Sequence, residues 1–354
     1  MLKLKIMNKT RCISLPLLLA GILSCSPQGV LKDVKTELKA AERSASIGLD
    51  KSFSLDLAES AQCTDIQIVN DSILVLMTTP TEADPYFFKA YSINTLEYLG
   101  SAVMRGRGPE EMEAARIIKC CSPEGNIIIS DNSVSECIEL DILGTIASNK
   151  LLAVADYKMP EGAIDFLPLP DGKSFSLILE SGRTTYQTTD ASGRVLSKFN
   201  LQKELSTENA VTLTSSVLTA PGEDGKLAMA MLFFPQIAIF DTQEGECYSV
   251  ATAKEYTSWA SPSPLDFNTV QHYLNICSSK DFIFASYLGL PLSRLISGDC
   301  RTGIHVFDWD GDFLLDIKLE ENISSMAFDS VNNMLYALDA SAGRPVRYNL
   351  ELLH

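Results

Sequence analysis

The chain has 354 residues, with 29 Lys and Arg, 45 Asp and Glu, three His and nine Cys; 46% is apolar and 8% aromatic. That apolar share excludes a disordered chain and allows a large core, in one large all-β domain or two ordinary ones. The net charge of −16 argues against nucleic acid as a partner, since sequence-independent binding rests on Lys and Arg neutralising phosphates. Three histidines, one of them the terminal His354, leave little room for His-based catalysis.

The N-terminus reads as a targeting segment. Lys3, Lys5, Lys9 and Arg11 precede an uncharged apolar run from Cys12 to Ser24. That run is shorter than the roughly 20 helical residues a bilayer needs, so a secretory signal is expected over 1–24. It ends Ile22-Leu23-Ser24-Cys25, which resembles the bacterial lipobox. The resemblance implies that Cys25 is lipidated and becomes the first residue of the mature chain, holding it to a membrane surface. The alternative is an ordinary signal peptide with an incidental Cys. Removing 1–24 takes four basic residues and no acid, so the mature chain carries a net charge of −20. No acidic run follows Cys25, which favours a periplasm-facing envelope protein over one on the outer surface.

Residues 25–50 read as the lipidated Cys and a tether: Leu31, Val34 and Leu38 stand at the spacing of a short helix, and the alternative, which the charged composition favours, is a flexible spacer between lipid and domain. Beyond Cys25 seven thiols remain, an odd number with no CxxC pair, so neither zinc nor a disulfide framework is expected. Cys277 and Cys300 are the pair to test for a bridge.

From residue 51 onward two turn markers recur six times. An Asp or Asn closes a strand at Asn94, Asp141, Asp190, Asp241, Asp308 and Asn349, at steps of 47, 49, 51, 67 and 41. A polar turn separates two apolar strands near Asp71, Gly125, Gly172, Gly225, Lys280 and Asn333, at steps of 54, 47, 53, 55 and 53. Between the markers lie Ile-, Val-, Leu- and Phe-rich runs such as Ser72–Met77 and Asp281–Ser286. These are strands bounded by turn chemistry. About four strands in a repeat near 50 residues predict a propeller blade. The fold expected is therefore all-β: a single six-bladed β-propeller over 51–354. The sixth unit lacks its outer strand, and Lys51–Leu57 is the candidate to pair there and close the ring.

After the fourth strand of blade one comes Met104-Arg-Gly-Arg-Gly-Pro-Glu-Glu-Met112. With the lipobox and six units, this loop resembles those of TolB-like and NHL-like six-bladed propeller lipoproteins of Bacteroidetes. The resemblance implies the fold and no particular activity. Arg105, Arg107, Glu110 and Arg116 in or beside this loop are either a recognition patch at the channel mouth or self-paired charges fixing one crossing. Two insertions add candidates. The link between blades four and five holds Trp259, and His272 lies beside it. The stretch Tyr287–Arg301 between the second and third strands of blade five holds Tyr287, Arg294 and Arg301. Long loops on a rigid scaffold commonly carry binding.

No GxSxG elbow, HExxH or P-loop occurs. Asp308-Trp-Asp-Gly-Asp312 lacks the Gly and Glu an EF-hand loop requires and reads as a hairpin turn. No cofactor is indicated. The reading is a ligand-binding or interaction module for a protein, peptide or carbohydrate. The alternative is a metal-dependent hydrolase or lactonase, with inward carboxylates gathered in the central channel.

Overall fold

A computed structural model describes residues 31, 34–37, 43–57, 62–121, 125–131, 136–180, 183–199, 201, 215–219, 222, 224–252, 266–297 and 300–351. Cys25 and Trp259 lie outside them. Two short strands come first, β1 (Val34–Glu37) and β2 (Arg43–Ser46). Blade one is β3 (Cys63–Val69), β4 (Ile73–Thr78), β5 (Tyr86–Ser92), β6 (Tyr98–Arg105) and β7 (Glu111–Met112). Blade two is β8 (Ala115–Cys121), β9 (Ile127–Asp131), β10 (Glu136–Leu140) and β11 (Ala153–Lys158), with α1 (Ile142–Ser148) before the last. Blade three is β12 (Ala163–Pro168), β13 (Ser174–Glu180), β14 (Arg183–Thr189) and β15 (Val195–Phe199).

Blade four is β16 (Ser216–Leu218), β17 (Lys226–Met231), β18 (Gln236–Asp241) and β19 (Glu246–Ala251). Blade five is β20 (Val270–Ser278), β21 (Phe282–Pro291), β22 (Gly303–Asp308) and β23 (Phe313–Lys318), with α2 (Leu292–Ser297) after β21. Blade six is β24 (Ile323–Asp329), β25 (Met334–Asp339) and β26 (Arg344–Asn349). Within each blade neighbouring strands pair in chain order and antiparallel, apart from the short β7, which pairs parallel with β6.

The second strand of each blade is largely apolar on both sides because both of its faces are buried between blades. In β4, Ile73 and Val75 pack toward Ile117, Ile127 and Ile129 of blade two. Leu74 and Leu76, one position out of phase, pack toward Ala327, Tyr336 and Leu338 of blade six. The same alternation divides β17: Leu227, Met229 and Met231 join blade three's Phe175 and Tyr186, while Ala228 and Ala230 face Ile283 and Ala285 of blade five. Blades five and six meet through Phe284, Ile304, Leu335 and Tyr348. A period of two thus serves two neighbours at once. The shared core of blades six and one completes the ring.

Both turn markers hold for a local reason. Asp241 accepts from the backbone N–H of Gln243 and Glu244 at 3.0 and 2.9 Å, and Asp308 from those of Asp310 and Asp312 at 3.0 and 2.8 Å. A carboxylate that mimics a turn carbonyl suits this position. The markers between first and second strands need a left-handed backbone: Asn70, Asp71, Asn333 and Gly225 have φ of 50, 48, 52 and 75°, values that Asn, Asp and Gly tolerate. The 308–312 stretch is indeed the β22–β23 hairpin turn.

Four expectations turn out differently. Asp141 closes β10, but its carboxylate then caps α1 through Gly144 N–H at 2.8 Å, so a helix stands where only a turn was expected. Within 25–50 the described residues include no helix. β1 pairs parallel with β19 and β2 parallel with β23, extending the outer edges of blades four and five. Exposed strand edges offer unpaired backbone groups that a polar segment can take. Residues 51–57 are not a regular strand, and the bridge to β26 falls at Leu49, opposite Tyr348. Finally, Cys277 is a free thiol, so no Cys277–Cys300 bridge forms.

Candidate functional site

The loop after β6 crosses from the outer edge of blade one to the innermost strand of blade two. β7 pairs parallel with β6, and Glu111 accepts the Gly108 N–H at 2.8 Å. A Cβ at Gly106 would lie 1.9 Å from a Glu111 oxygen, so a larger residue there would have to displace the Glu111 carboxylate. Arg107 pairs with Glu113 at the surface. Arg105 and Glu110 are exposed. Glu110 borders a small groove of about 180 Å³ against Thr145 and Lys150 at the end of α1. Arg116 leaves this loop altogether: it lies on β8 and bonds Asp165 on β12 at 3.1 Å, tying blade two to blade three. Burial raises the Asp165 carboxyl pKa, with Arg116 opposing.

The inner strands carry a second charged knot. Lys119 on β8 pairs with Asp65 on β3, and also donates to the Ile66 carbonyl at 2.6 Å and to Ser325 Oγ on β24 at 3.0 Å. Ser325 donates in turn to Asp65. Three blades therefore share one ammonium and one carboxylate at the axis. Among the described residues, no group of three or more His, Cys, Asp or Glu is placed to hold a metal.

Blade five brings His272 and Tyr287 together. β20 and β21 are the longest strands of the ring, and strand structure continues through Tyr287 to Pro291 before α2. Tyr287 Oη lies 3.5 Å from His272 Nδ1, and the Tyr287 ring stacks on His305 at 4.1 Å. Tyr273 bonds Thr252 Oγ1 at 2.6 Å and His305 Nδ1 at 3.2 Å. His272 Nε2 is buried and has no partner among the described residues. Burial pushes the two imidazoles down, to about 4 for His272 and about 3 for His305. Both are therefore neutral at pH 7, and this cluster is a buried aromatic wedge. Arg294 is exposed on α2, while Arg301 pairs with Glu320 at 2.7 Å beside the β23–β24 link.

The candidates thus divide among separate places: Arg105, Arg107 and Glu110 on one crossing, Arg116 at the channel, His272 with Tyr287 inside blade five, and Arg294 and Arg301 on its rim. Sequence reasoning missed Lys119, Asp65 and Asp165. It also missed Lys89, a lone charge inside the apolar run Phe87-Phe88-Lys89-Ala90-Tyr91, which is the kind of signal that marks a buried polar site.

Six stacked meanders around an axis define a six-bladed β-propeller. The TolB-like 6-blade propeller-like family profile matches residues 64–331, and the chain belongs to that family. It is also similar to a solved member of the DUF4221 family from Bacteroides vulgatus ATCC 8482: 13% identity over 88% of this chain and 96% of that one, TM-score 0.56. A Bacteroides caccae protein of unknown function matches at 10% identity over 76% of this chain and 87% of that one, TM-score 0.42. No curated protein matches.

Proposed function

We propose that the chain is an exported, lipid-anchored propeller that acts as a binding or interaction module, facing the periplasm. One observation carries the binding reading. The charges at the axis are spent on each other, Lys119 on Asp65 and Arg116 on Asp165, which makes a rigid ring, while Arg105, Glu110 and Arg294 are exposed on its connections. A fixed scaffold with polar loops suits recognition of a protein, peptide or carbohydrate.

The anchor reading rests on Cys25. Leu31, six positions later, is fully buried, and its N–H bonds Gln236 on blade four at 3.1 Å. Six extended residues reach at most about 20 Å. A lipid on Cys25 would therefore hold the rim of blade four close to the bilayer.

A thermal-shift screen of the full chain with Ca²⁺, neutral sugars and peptides tests the module. A stabilising organic ligand without turnover supports it. Metal-dependent stabilisation together with hydrolysis of a lactone would overturn it in favour of an enzyme.

A further inference from the structure

One cavity lies away from the channel and from the long loops. It lies on the outer part of blade one, encloses about 650 Å³, and is lined among others by Asp84, Tyr86, Lys89, Tyr98, Ser101 and Ile146. We infer that it is a binding pocket for a neutral sugar. The inference rests on the reading of the ring as a binding module and names a ligand class and a place for it.

The first argument is the state of Lys89. Its side chain is only 10% exposed, yet it has one partner, Asp84. Two of its three N–H bonds have no acceptor among the described residues. A nearly buried ammonium with unspent donors is costly unless something fills them. Among the described residues Asp84 Oδ1 has no partner, and neither has Tyr86 Oη. Lysine and aspartate cancel in charge, so the pocket offers donors and acceptors with no net field. Hydroxyl groups, each donor and acceptor at once, match that lining better than an ion of either sign.

The second argument is apolar. Tyr98 is half exposed, but its ring is not loose. It packs on Tyr91 at 5.4 Å, and its Oη bonds Ser101 Oγ at 2.6 Å. A wet aromatic face held in place is a platform for an apolar ligand face, formed before the ligand arrives. Ile146 of α1 adds an apolar side chain to the lining. It can come this close because Gly100 has no Cβ, which would lie 2.4 Å from Ile146 Cγ2. A sugar ring, with C–H faces and a hydroxyl edge, combines both requirements.

Saturation-transfer NMR and calorimetry with the methyl glycosides of glucose, galactose, mannose and N-acetylglucosamine test this on the full chain. At least one should bind in the millimolar range or tighter. Tyr98→Ala, at a half-exposed position, should weaken it about tenfold or more while the ring stays folded, its melting temperature lowered by no more than the lost Tyr91 and Ser101 contacts explain. Tyr86→Phe, which removes one hydroxyl, should weaken it by a smaller factor. Absence of binding by all four glycosides overturns the sugar pocket, as does binding that Tyr98→Ala leaves intact or a glucuronide that binds more tightly than the neutral glycoside. A peptide that binds when no sugar does would sink this inference and leave the module reading standing. A lactone turned over in the presence of metal would sink the module reading instead.

Discussion

Arg347 on β26 donates through Nε and Nη2 to one carboxylate oxygen of Asp50, at 2.9 and 2.6 Å, joining residues 297 positions apart. Its guanidinium also sits 5.0 Å over the Phe53 ring. This contact pins the segment before blade one onto blade six. The Asp50 carboxyl is held down to about 2, by the Ser52 hydroxyl first and by Arg347 next. A depressed carboxyl stabilises the fold above its ordinary value near 3.8 and loses that contribution as pH falls toward about 2. Asp50→Asn should therefore cost about 1–2 kcal/mol at neutral pH. The gap to wild type should close between about pH 4 and pH 2. Urea midpoints for both proteins across that range check it, and a gap that persists at pH 2 would contradict it.

Lys119 is the keystone of blades one, two and six. Lys119→Met would strand the Asp65 carboxylate at the axis, and breaking a buried pair in this way costs about 3–5 kcal/mol. Replacing Asp65 by Leu in the same chain should recover most of the loss. Chemical denaturation of the single and double variants measures the coupling. Additive losses would mean that the two side chains act independently.

Gly100 has φ of +147° and stands against Ile146. Gly100→Ala should push α1 outward and destabilise by about 1–3 kcal/mol. Ile146→Ala should relieve part of that cost in the double variant. Amide exchange in 142–148 reads the displacement, and unchanged protection of α1 would show that the contact is loose.

His272 and His305 are buried and neutral, with pKa values pushed below the ordinary 6.5. Between about pH 6.5 and 4 the unfolded chain binds protons that the folded ring refuses. Stability should therefore fall with falling pH, by up to about 1.4 kcal/mol per unit for each proton. His272→Leu should flatten the slope, read as melting temperature against pH. An equal slope in the variant would mean that His272 takes up its proton without opening the fold.

Much of the ring was legible because its signals are local. Asp241 and Asp308 make their turns with bonds to residues two to four positions on, and Asn70 and Asn333 satisfy left-handed turns by themselves. Runs such as Ile73–Met77 in β4 and Leu227–Met231 in β17 are apolar at every step, which betrays burial on both faces. α1 was hidden because Ile142-Leu-Gly-Thr-Ile-Ala-Ser148 reads as strand-like, and its helix depends on the Asp141 cap and on space at Gly100. β1 and β2 add to the outer edges by parallel backbone pairing, and neither Val-Lys-Thr-Glu nor Arg-Ser-Ala-Ser has the apolar run that marks the second strands of the blades. The charged contacts were hidden for a further reason. Lys119 meets Asp65 from 54 positions away and Ser325 from 206, and only the closed ring brings them together.

The lipid anchor is open to one direct measurement, metabolic labelling with an alkyne fatty acid followed by fractionation. The wild-type chain should carry label and sediment with membranes, and Cys25→Ala should lose the label and the membrane association together. Equal labelling of both chains, or an unlabelled wild type in the soluble fraction, would contradict the anchored propeller.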